Sequence, residues 1–330
     1  MYNTILLFIF GLLLLIKGGD WFVDGATAIA KRFKIPDLLI GATVVSIGTT
    51  LPEVMVSGMA ALEGSGSIAY GNAIGSIICN TALIAAITIA VAPGAIHRRS
   101  LRMPVTFFFT AAAFYVTISY TTGYFYRWVG IALLGIFVVY MILSILQMRK
   151  KEPEFEVDLD YLDDDQDGID EIPPLWKSIL MLVIGAAVIA VGADLLVDNG
   201  ILIAQALGVP ETVIGLTFVS LGTSLPELVT AITALLKKHG SLSLGNVIGA
   251  NLFNLILVSG VSVTLSPFPV PQAAQLFGQN ASLVLDLPLM LGVMLILTVP
   301  ALIRGKLARW QGISLLAVYA AFCTVQFVAF

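Results

Sequence analysis

One segment of the 330-residue chain occurs twice, and this limits the possible folds more than any other feature. An ungapped shift of 174 residues lays Pro36-Asp-Leu-Leu-Ile-Gly-Ala-Thr-Val-Val-Ser-Ile-Gly-Thr-Thr-Leu-Pro-Glu53 on Pro210-Glu-Thr-Val-Ile-Gly-Leu-Thr-Phe-Val-Ser-Leu-Gly-Thr-Ser-Leu-Pro-Glu227, with 11 of 18 positions identical. The same shift maps Asp20 on Asp194 and Asp24 on Asp198. It also maps Gly71-Asn-Ala-Ile-Gly-Ser-Ile-Ile-Cys-Asn80 on Gly245-Asn-Val-Ile-Gly-Ala-Asn-Leu-Phe-Asn254. Self-similarity at one fixed spacing implies two structurally equivalent halves.

Composition says what the halves are made of. Only 12% of residues are charged, 58% belong to the AVILMFWYC set, and mean hydropathy is +0.97. A soluble domain carries about 25% charge, so a soluble enzyme or nucleic-acid binder is excluded. The apolar runs are also far longer than the roughly ten alternating residues of an outer-membrane strand. The expected fold is an all-α polytopic membrane protein. Ten runs approach the roughly 20 residues that cross a bilayer: 3–30, 37–62, 68–92, 103–121, 128–148, 175–206, 211–236, 243–265, 282–302 and 309–329. The long first and sixth are expected to tilt or protrude. Tyr2–Ile16 has no basic leader or small-residue cleavage site and continues through Trp21, Phe22 and Val23, so it reads as a retained helix. Cys79 and Cys323 lie in separate apolar runs and read as packing residues.

Basic residues orient the chain. The loops after spans 1, 3, 5, 7 and 9 hold 15 of the 17 Lys and Arg; the exceptions are Lys17 and Arg127. The positive-inside rule places these five loops in the cytoplasm and both termini outside, in a cell (inner or plasma) membrane. Five spans separate equivalent points, and five is odd, so the second copy enters from the opposite side. Two inverted-topology five-helix repeats are expected, a transporter architecture with its site near the midplane. The halves are 1–149 and 175–330, joined by an acidic cytoplasmic linker, 150–174. Between Glu152 and Glu171 this linker holds 11 of the 21 acids. Asp163, Asp165, Asp167 and Gly168 match the first half of an EF-hand loop, but its twelfth position is Pro174. A solvated linker is the expected reading, ahead of a weak cytoplasmic Ca²⁺ site.

The repeated segment carries the chemistry. Pro52 and Pro226 remove a backbone donor in mid-span and free the carbonyls of Gly48 and Gly222. In hydrocarbon a freed carbonyl needs a partner, and a cation is one. Glu53 and Glu227 follow these prolines, at the expected start of a half-helix, where the dipole favours a carboxylate. Intramembrane carboxylates are costly and mark function. Thr49, Thr50, Thr223 and Ser224 add hydroxyls, and Asn80 and Asn254 can face the carboxylates. An all-oxygen set suits Ca²⁺ or Na⁺ rather than zinc or copper. His97 and His239 read as ordinary loop residues, and the repeated glycines as close-packing positions. Asp20, Asp24, Asp194 and Asp198 read as structural, capping or pairing, with Lys17 a near neighbour.

At these residues the sequence resembles the cation/calcium exchanger family, which includes the sodium/calcium exchangers. Both signature repeats are present, as Gly48-Thr-Thr-Leu-Pro-Glu53 and Gly222-Thr-Ser-Leu-Pro-Glu227, each followed by Gly-Asn-x-Ile-Gly. The similarity covers all ten spans, and the short linker is similar to that of prokaryotic members. The resemblance implies Ca²⁺ held by Glu53 and Glu227 with the carbonyls of Thr49 and Thr223. It implies flanking Na⁺ sites from Ser46, Thr50, Ser76 and Asn80 in one half and Ser220 and Ser224 in the other. Transport would proceed by alternating access, spans 1 and 6 sliding across the other eight. Many sodium-coupled relatives carry Asp at Asn254 and Ser at Ala250. Asn254 leaves two carboxylates, matching one Ca²⁺ or two Na⁺, and Ala250 lacks an outward-side hydroxyl.

The expected function is therefore Ca²⁺/Na⁺ antiport, with no organic cofactor and no enzymatic activity. H⁺/Ca²⁺ antiport through the same Glu pair is the alternative. A cation channel is a more distant reading, since channels are usually symmetric oligomers whereas this chain carries its own two-fold. An intramembrane hydrolase would need a nucleophile, base or metal cluster beyond the Glu pair. The expected partners are inorganic cations and the lipid bilayer, without nucleic acid. A monomer suffices, and oligomeric state is left open.

Overall fold

The computed structural model describes residues 2–149, 173–206, 222, 224–272, 275–276 and 278–329. The described chain is almost wholly helical. Its main helices are α1 (Tyr2–Phe33), α2 (Leu38–Leu62), α3 (Gly66–Val91), α4 (Arg98–Thr122), α5 (Arg127–Arg149) and α6 (Leu175–Ala206). The second half continues with α7 (Leu225–Leu236), α8 (Gly240–Leu265), α9 (Ser282–Arg304) and α10 (Arg309–Ala329). Among the described residues eight helices are long and apolar enough to cross a membrane; α7, at 12 described residues, and α10 are not among them. The acidic linker up to residue 172, with its EF-hand-like stretch 163–168, lies outside the described residues, as does 207–221.

Helix ends follow local chemistry. Gly123 and Gly305 adopt the left-handed conformation (φ 63° and 68°) immediately after α4 and α9, the position where glycine ends a helix without a Cβ clash. α1 and α6 are both 32 residues long. At 1.5 Å per residue each extends about 48 Å, more than the roughly 30 Å hydrocarbon thickness.

Among the described residues four helices contain a wide π turn: Gly41–Val45 in α2, Asn80–Ala85 in α3, Asn254–Val258 in α8 and Ser282–Asp286 in α9. Such turns displace the hydrogen-bond ladder and recur at functional sites. This corrects one expectation. Pro52 does not break α2: regular α-helix runs from Ser46 through Pro52 to Leu62, and the irregularity lies about two turns earlier. A membrane helix tolerates proline when neighbours re-satisfy the freed backbone. In the second copy the helix does begin at the motif, with Ser224 at its N-cap and Pro226 in its first turn.

Among the described residues the buried apolar side chains fall into two clusters. The larger joins α2, α3, α4, α5, α7, α8, α9 and α10 around Ile74, Phe108, Tyr115, Phe253 and Met294. The smaller is built on Leu15, Phe22, Val23 and Ala26 of α1 with Ile189 of α6. It rests against Ile40 and Val45 of α2, Leu225 and Ala234 of α7 and Leu242 of α8. α3 and α8 are central, with 72% and 83% of an 18-residue apolar stretch of each buried, whereas in α1 and α6 the corresponding stretches are 28% and 22% buried.

Glycines join α1 to α6. A Cβ on Gly25 would meet Leu182 N at 2.7 Å, one on Gly18 would meet Ile189 N at 2.9 Å, and one on Gly192 would meet Gly11 O at 2.9 Å. Rising numbers on α1 meet falling numbers on α6, so the two helices are antiparallel. Backbone contact this close is what small residues allow between membrane helices.

Loop contacts link distant parts of the chain. Tyr124 and Phe125, after α4, pair with Pro269 and Phe268, after α8. Ala95, after α3, bridges to Lys306, after α9. Arg32 donates to the Pro173 carbonyl over 2.9 Å. Asp20 and Asp24 meet Lys237, before α8, at 3.4 and 2.7 Å, not Lys17, which lies 5.9 Å above the Trp21 ring. Cys79 and Cys323 are both free thiols.

Candidate ion-binding site

Glu53 and Glu227 are both fully buried and are electrostatic neighbours, one contributed by each half. Glu53 lies within the regular stretch Ser46–Leu62, and Glu227 in the first turn of α7, where the amide dipoles favour an anion. The π turn starting at Asn80 packs against α7 and α8, and the one starting at Asn254 packs against α2 and α3. Cys79, adjacent to Asn80, lies beside the Ser224 hydroxyl.

Hydrogen bonding is deficient at this place. The Thr50, Ser76 and Ser224 hydroxyls, both amide atoms of Asn80 and of Asn254, and all four carboxylate oxygens of Glu53 and Glu227 are buried without a well-formed hydrogen bond among the described residues. They account for eleven of the seventeen such atoms there, so the deficit is concentrated in the two halves' motifs. Buried polar atoms normally find partners, and an unpaired buried carboxylate is far costlier than a hydroxyl. The atoms left over are almost all hard oxygens, the donors a Ca²⁺ or Na⁺ ion uses. Among the described residues no group of three or more His, Cys, Asp or Glu could hold a metal. Among the described residues, the groups left for an ion at this place are two carboxylates and neutral oxygens.

Ser46 and Thr49 differ from the others because their hydroxyls are engaged. Ser46 Oγ lies 2.7 Å from the Gly41 carbonyl and 3.0 Å from that of Asn246, and Thr49 Oγ1 lies 3.2 Å from Asn246 Oδ1. The Thr49 hydroxyl also lies beside the Glu227 carboxylate. Their carbonyl oxygens are thus the groups they could offer an ion. Ser220 and Thr223 lie outside the described residues. Ala250 is fully buried, so its missing hydroxyl is missing from the interior.

The glycines of the second copy are packing positions. A Cβ on Gly249 would collide with Ser46 Oγ, and one on Gly245 with the Leu38 carbonyl. On the facing helix, a Cβ on Gly41 would lie 2.8 Å from Asn246 N. These contacts seat α8 directly on the π turn of α2. Tyr140 of α5 closes the same turn, its hydroxyl donating to the Ala42 carbonyl. Sequence reasoning missed Asn246, Thr230 and Tyr140. Asn246 was visible as the repeated Asn of Gly-Asn-x-Ile-Gly, whereas Thr230 and Tyr140 carried no signal in the sequence.

Comparison with known proteins follows the same lines. The family described as sodium/calcium exchanger protein matches residues 3–146 and 177–328. The chain is 31% identical over 350 residues to the sodium/calcium exchanger MaX1 of Methanosarcina acetivorans, covering 98% of each protein. It is 34% identical over 313 residues to the uncharacterized membrane protein MJ0091 of Methanocaldococcus jannaschii, covering 94% of each. The fold is similar to that of the sodium-calcium exchanger NCX_Mj soaked with Na⁺ and Sr²⁺, at a TM-score of 0.80, 30% identity and 98% coverage of both chains. The chain is a polytopic helical membrane protein and belongs to the sodium/calcium exchanger family.

Proposed function

We propose that this protein is a secondary antiporter that exchanges Ca²⁺ for Na⁺ by alternating access, with Glu53 and Glu227 as its charged ligands. One observation carries the assignment: buried, unpartnered oxygens are concentrated at the two Gly-Thr-x-Leu-Pro-Glu motifs and the asparagines that pack on them. Two carboxylates balance one Ca²⁺ or two Na⁺, so either load neutralises the site and lowers the cost of carrying it across hydrocarbon. In this reading Ca²⁺ takes both carboxylates with the carbonyls of Thr49 and Thr223. Na⁺ uses flanking oxygens from Ser46, Thr50, Ser76, Asn80, Ser220, Ser224 and Asn254.

The proposed architecture has ten crossings in two inverted repeats, 1–149 and 175–330, with termini outside and the acidic linker 150–174 in the cytoplasm. Loop contacts support it. The Ala95–Lys306, Arg32–Pro173 and Lys237–Asp24 contacts each join chain ends that this topology puts on the cytoplasmic side. Tyr124–Pro269 joins two that it puts outside. The antiparallel α1–α6 pair is what four intervening crossings, an even number, require. Its separate, peripheral apolar cluster makes it the natural moving body against the rest.

A second reading, H⁺ in place of Na⁺, is favoured by buried Ala250 and by Asn254, which leave fewer Na⁺ ligands than many sodium-coupled relatives have. Proteoliposome flux tests both. An outward Na⁺ gradient should drive Ca²⁺ uptake, and Glu53→Gln or Glu227→Gln should abolish it. Uptake that follows a pH gradient and ignores Na⁺ would select the proton reading, and full activity in both Gln variants would overturn the site.

A further inference from the structure

We propose that Asn246 is a positioning residue that keeps the Glu227 carboxylate available to the ion by taking the Thr49 hydroxyl hydrogen onto its own side-chain oxygen. The inference rests on the site reading above and extends it to a residue outside the ion's own ligands.

Asn246 lies on α8 and is 1% exposed. Its carboxamide spans both halves. The Nδ2 group donates to Thr230 Oγ1 over 2.8 Å, on α7 of its own half. Its Oδ1 lies 3.2 Å from Thr49 Oγ1 and 3.4 Å from Ser46 Oγ, on α2 of the other half. Thr230 in turn lies 2.9 Å from the Pro226 carbonyl and 3.0 Å from that of Glu227. A hydrogen-bonded path thus runs from the Glu227 carbonyl through Thr230 and Asn246 to Thr49, whose hydroxyl lies beside the Glu227 carboxylate without a well-formed bond to it.

Hydrogen counting gives the path a direction. The Thr49 hydroxyl has one hydrogen and three acceptors beside it: Asn246 Oδ1 at 3.2 Å, the Ser46 carbonyl at a longer 3.5 Å, and the Glu227 carboxylate. A hydrogen directed at Glu227 occupies a lone pair that a cation would use. A hydrogen directed at Asn246 leaves the carboxylate oxygens free and turns the Thr49 oxygen lone pairs toward them. The amide is fixed in the orientation that presents oxygen to Thr49, because its nitrogen donates to Thr230, whose own hydrogen is directed at the α7 carbonyls. The close seating of Gly41 and Gly249 leaves no slack for the amide to withdraw. The repeat uses the same residue again: the 174-residue shift maps Asn246 on Asn72, whose Nδ2 donates over 2.8 Å to Ser57 Oγ on α2.

The test is ⁴⁵Ca²⁺ self-exchange in proteoliposomes, read as KM for Ca²⁺ and maximal rate separately. Asn246→Ala should raise KM roughly tenfold, as expected for losing two buried hydrogen bonds at a charged site, with the maximal rate within about twofold of wild type. Thr49→Val removes the contested hydrogen, so the double variant should have the KM of one single variant rather than the product of both shifts. Thr230→Val should reproduce the KM rise and Thr230→Ser should restore it, which carries the test if Asn246→Ala fails to fold. Shifts that multiply in the double variant, or lowered thermal stability with unchanged KM, would overturn the proposal. Loss of exchange in Glu53→Gln alongside such additivity leaves the site reading standing and rejects only the role of Asn246.

Discussion

The Tyr140 hydroxyl donates to the Ala42 carbonyl over 2.9 Å, and Tyr140 and Ala42 are both fully buried. Ala42 sits inside the π turn of α2, where the ladder is displaced and a carbonyl can accept from outside. Ser46 and Thr49 follow on the next turns, so this single bond braces the segment leading into the site. Tyr140→Phe leaves a buried carbonyl unpaired, at a cost of about 1–3 kcal/mol. The melting temperature of the purified protein should fall, and the KM for Ca²⁺ should rise. An unchanged melting curve would show that the carbonyl has another partner.

The α1–α6 contact makes a prediction about glycine size. A Cβ on Gly185 would lie 2.6 Å from Phe22 N and 2.9 Å from the Gly18 carbonyl, backbone atoms that cannot rotate away. Gly185→Ala should destabilise by about 1–3 kcal/mol through overpacking and slow exchange. Gly135 of α5 is exposed, with open space where its Cβ would go, so Gly135→Ala should be neutral or stabilising by up to about 1 kcal/mol. Thermal unfolding of the two variants in parallel checks both.

Ala250 is buried and its neighbour one turn on, Asn254, has an unpartnered amide. Ala250→Ser adds one hydroxyl oxygen with almost no added volume. In Na⁺-driven Ca²⁺ uptake the half-maximal Na⁺ concentration should fall by about threefold, the size of one modest ligand contact. An unchanged Na⁺ dependence would place the new hydroxyl outside the ion path.

Lys237 lies 2.7 Å from Asp24, but their side chains are 28% and 48% exposed. Half-exposed pairs contribute about 0–1 kcal/mol and are screened by salt. Lys237→Met should therefore shift the melting temperature slightly at low ionic strength and not at all at high. A large, salt-independent loss would mean that the pair is shielded by lipid or by residues outside those described.

Topology can be read by labelling single cysteines in a Cys79→Ala, Cys323→Ala background with a membrane-impermeant maleimide. A cysteine at Lys306 should react from the cytoplasmic face only, and one at Tyr124 or Gln279 from the outer face only. Labelling of 306 and 124 from the same side would overturn the ten-crossing reading.

Much of this protein was determined by its sequence alone because the determinants are chemical and local. Scarcity of charge forces a membrane environment, the 174-residue repeat predicts two equivalent halves, and carboxylates after mid-span prolines nominate a candidate site. Glu53 and Glu227 stand out as candidates in the sequence, and the fold buries both. The tertiary structure decided what depends on partners far apart in the chain. Sequence placed Asp20 beside Lys17, but the fold pairs it with Lys237, 217 residues away. The irregularity expected at Pro52 occurs instead in the Gly41–Val45 turn, which Tyr140 and the α8 glycines support from other helices. The direction of the Thr49 hydroxyl was likewise beyond sequence, because it depends on the position of the Asn246 amide. Hydrogen bonds act only within about 3 Å and at narrow angles; composition and periodicity can assign a residue to a helix face, and only packing across helices brings donor and acceptor that close.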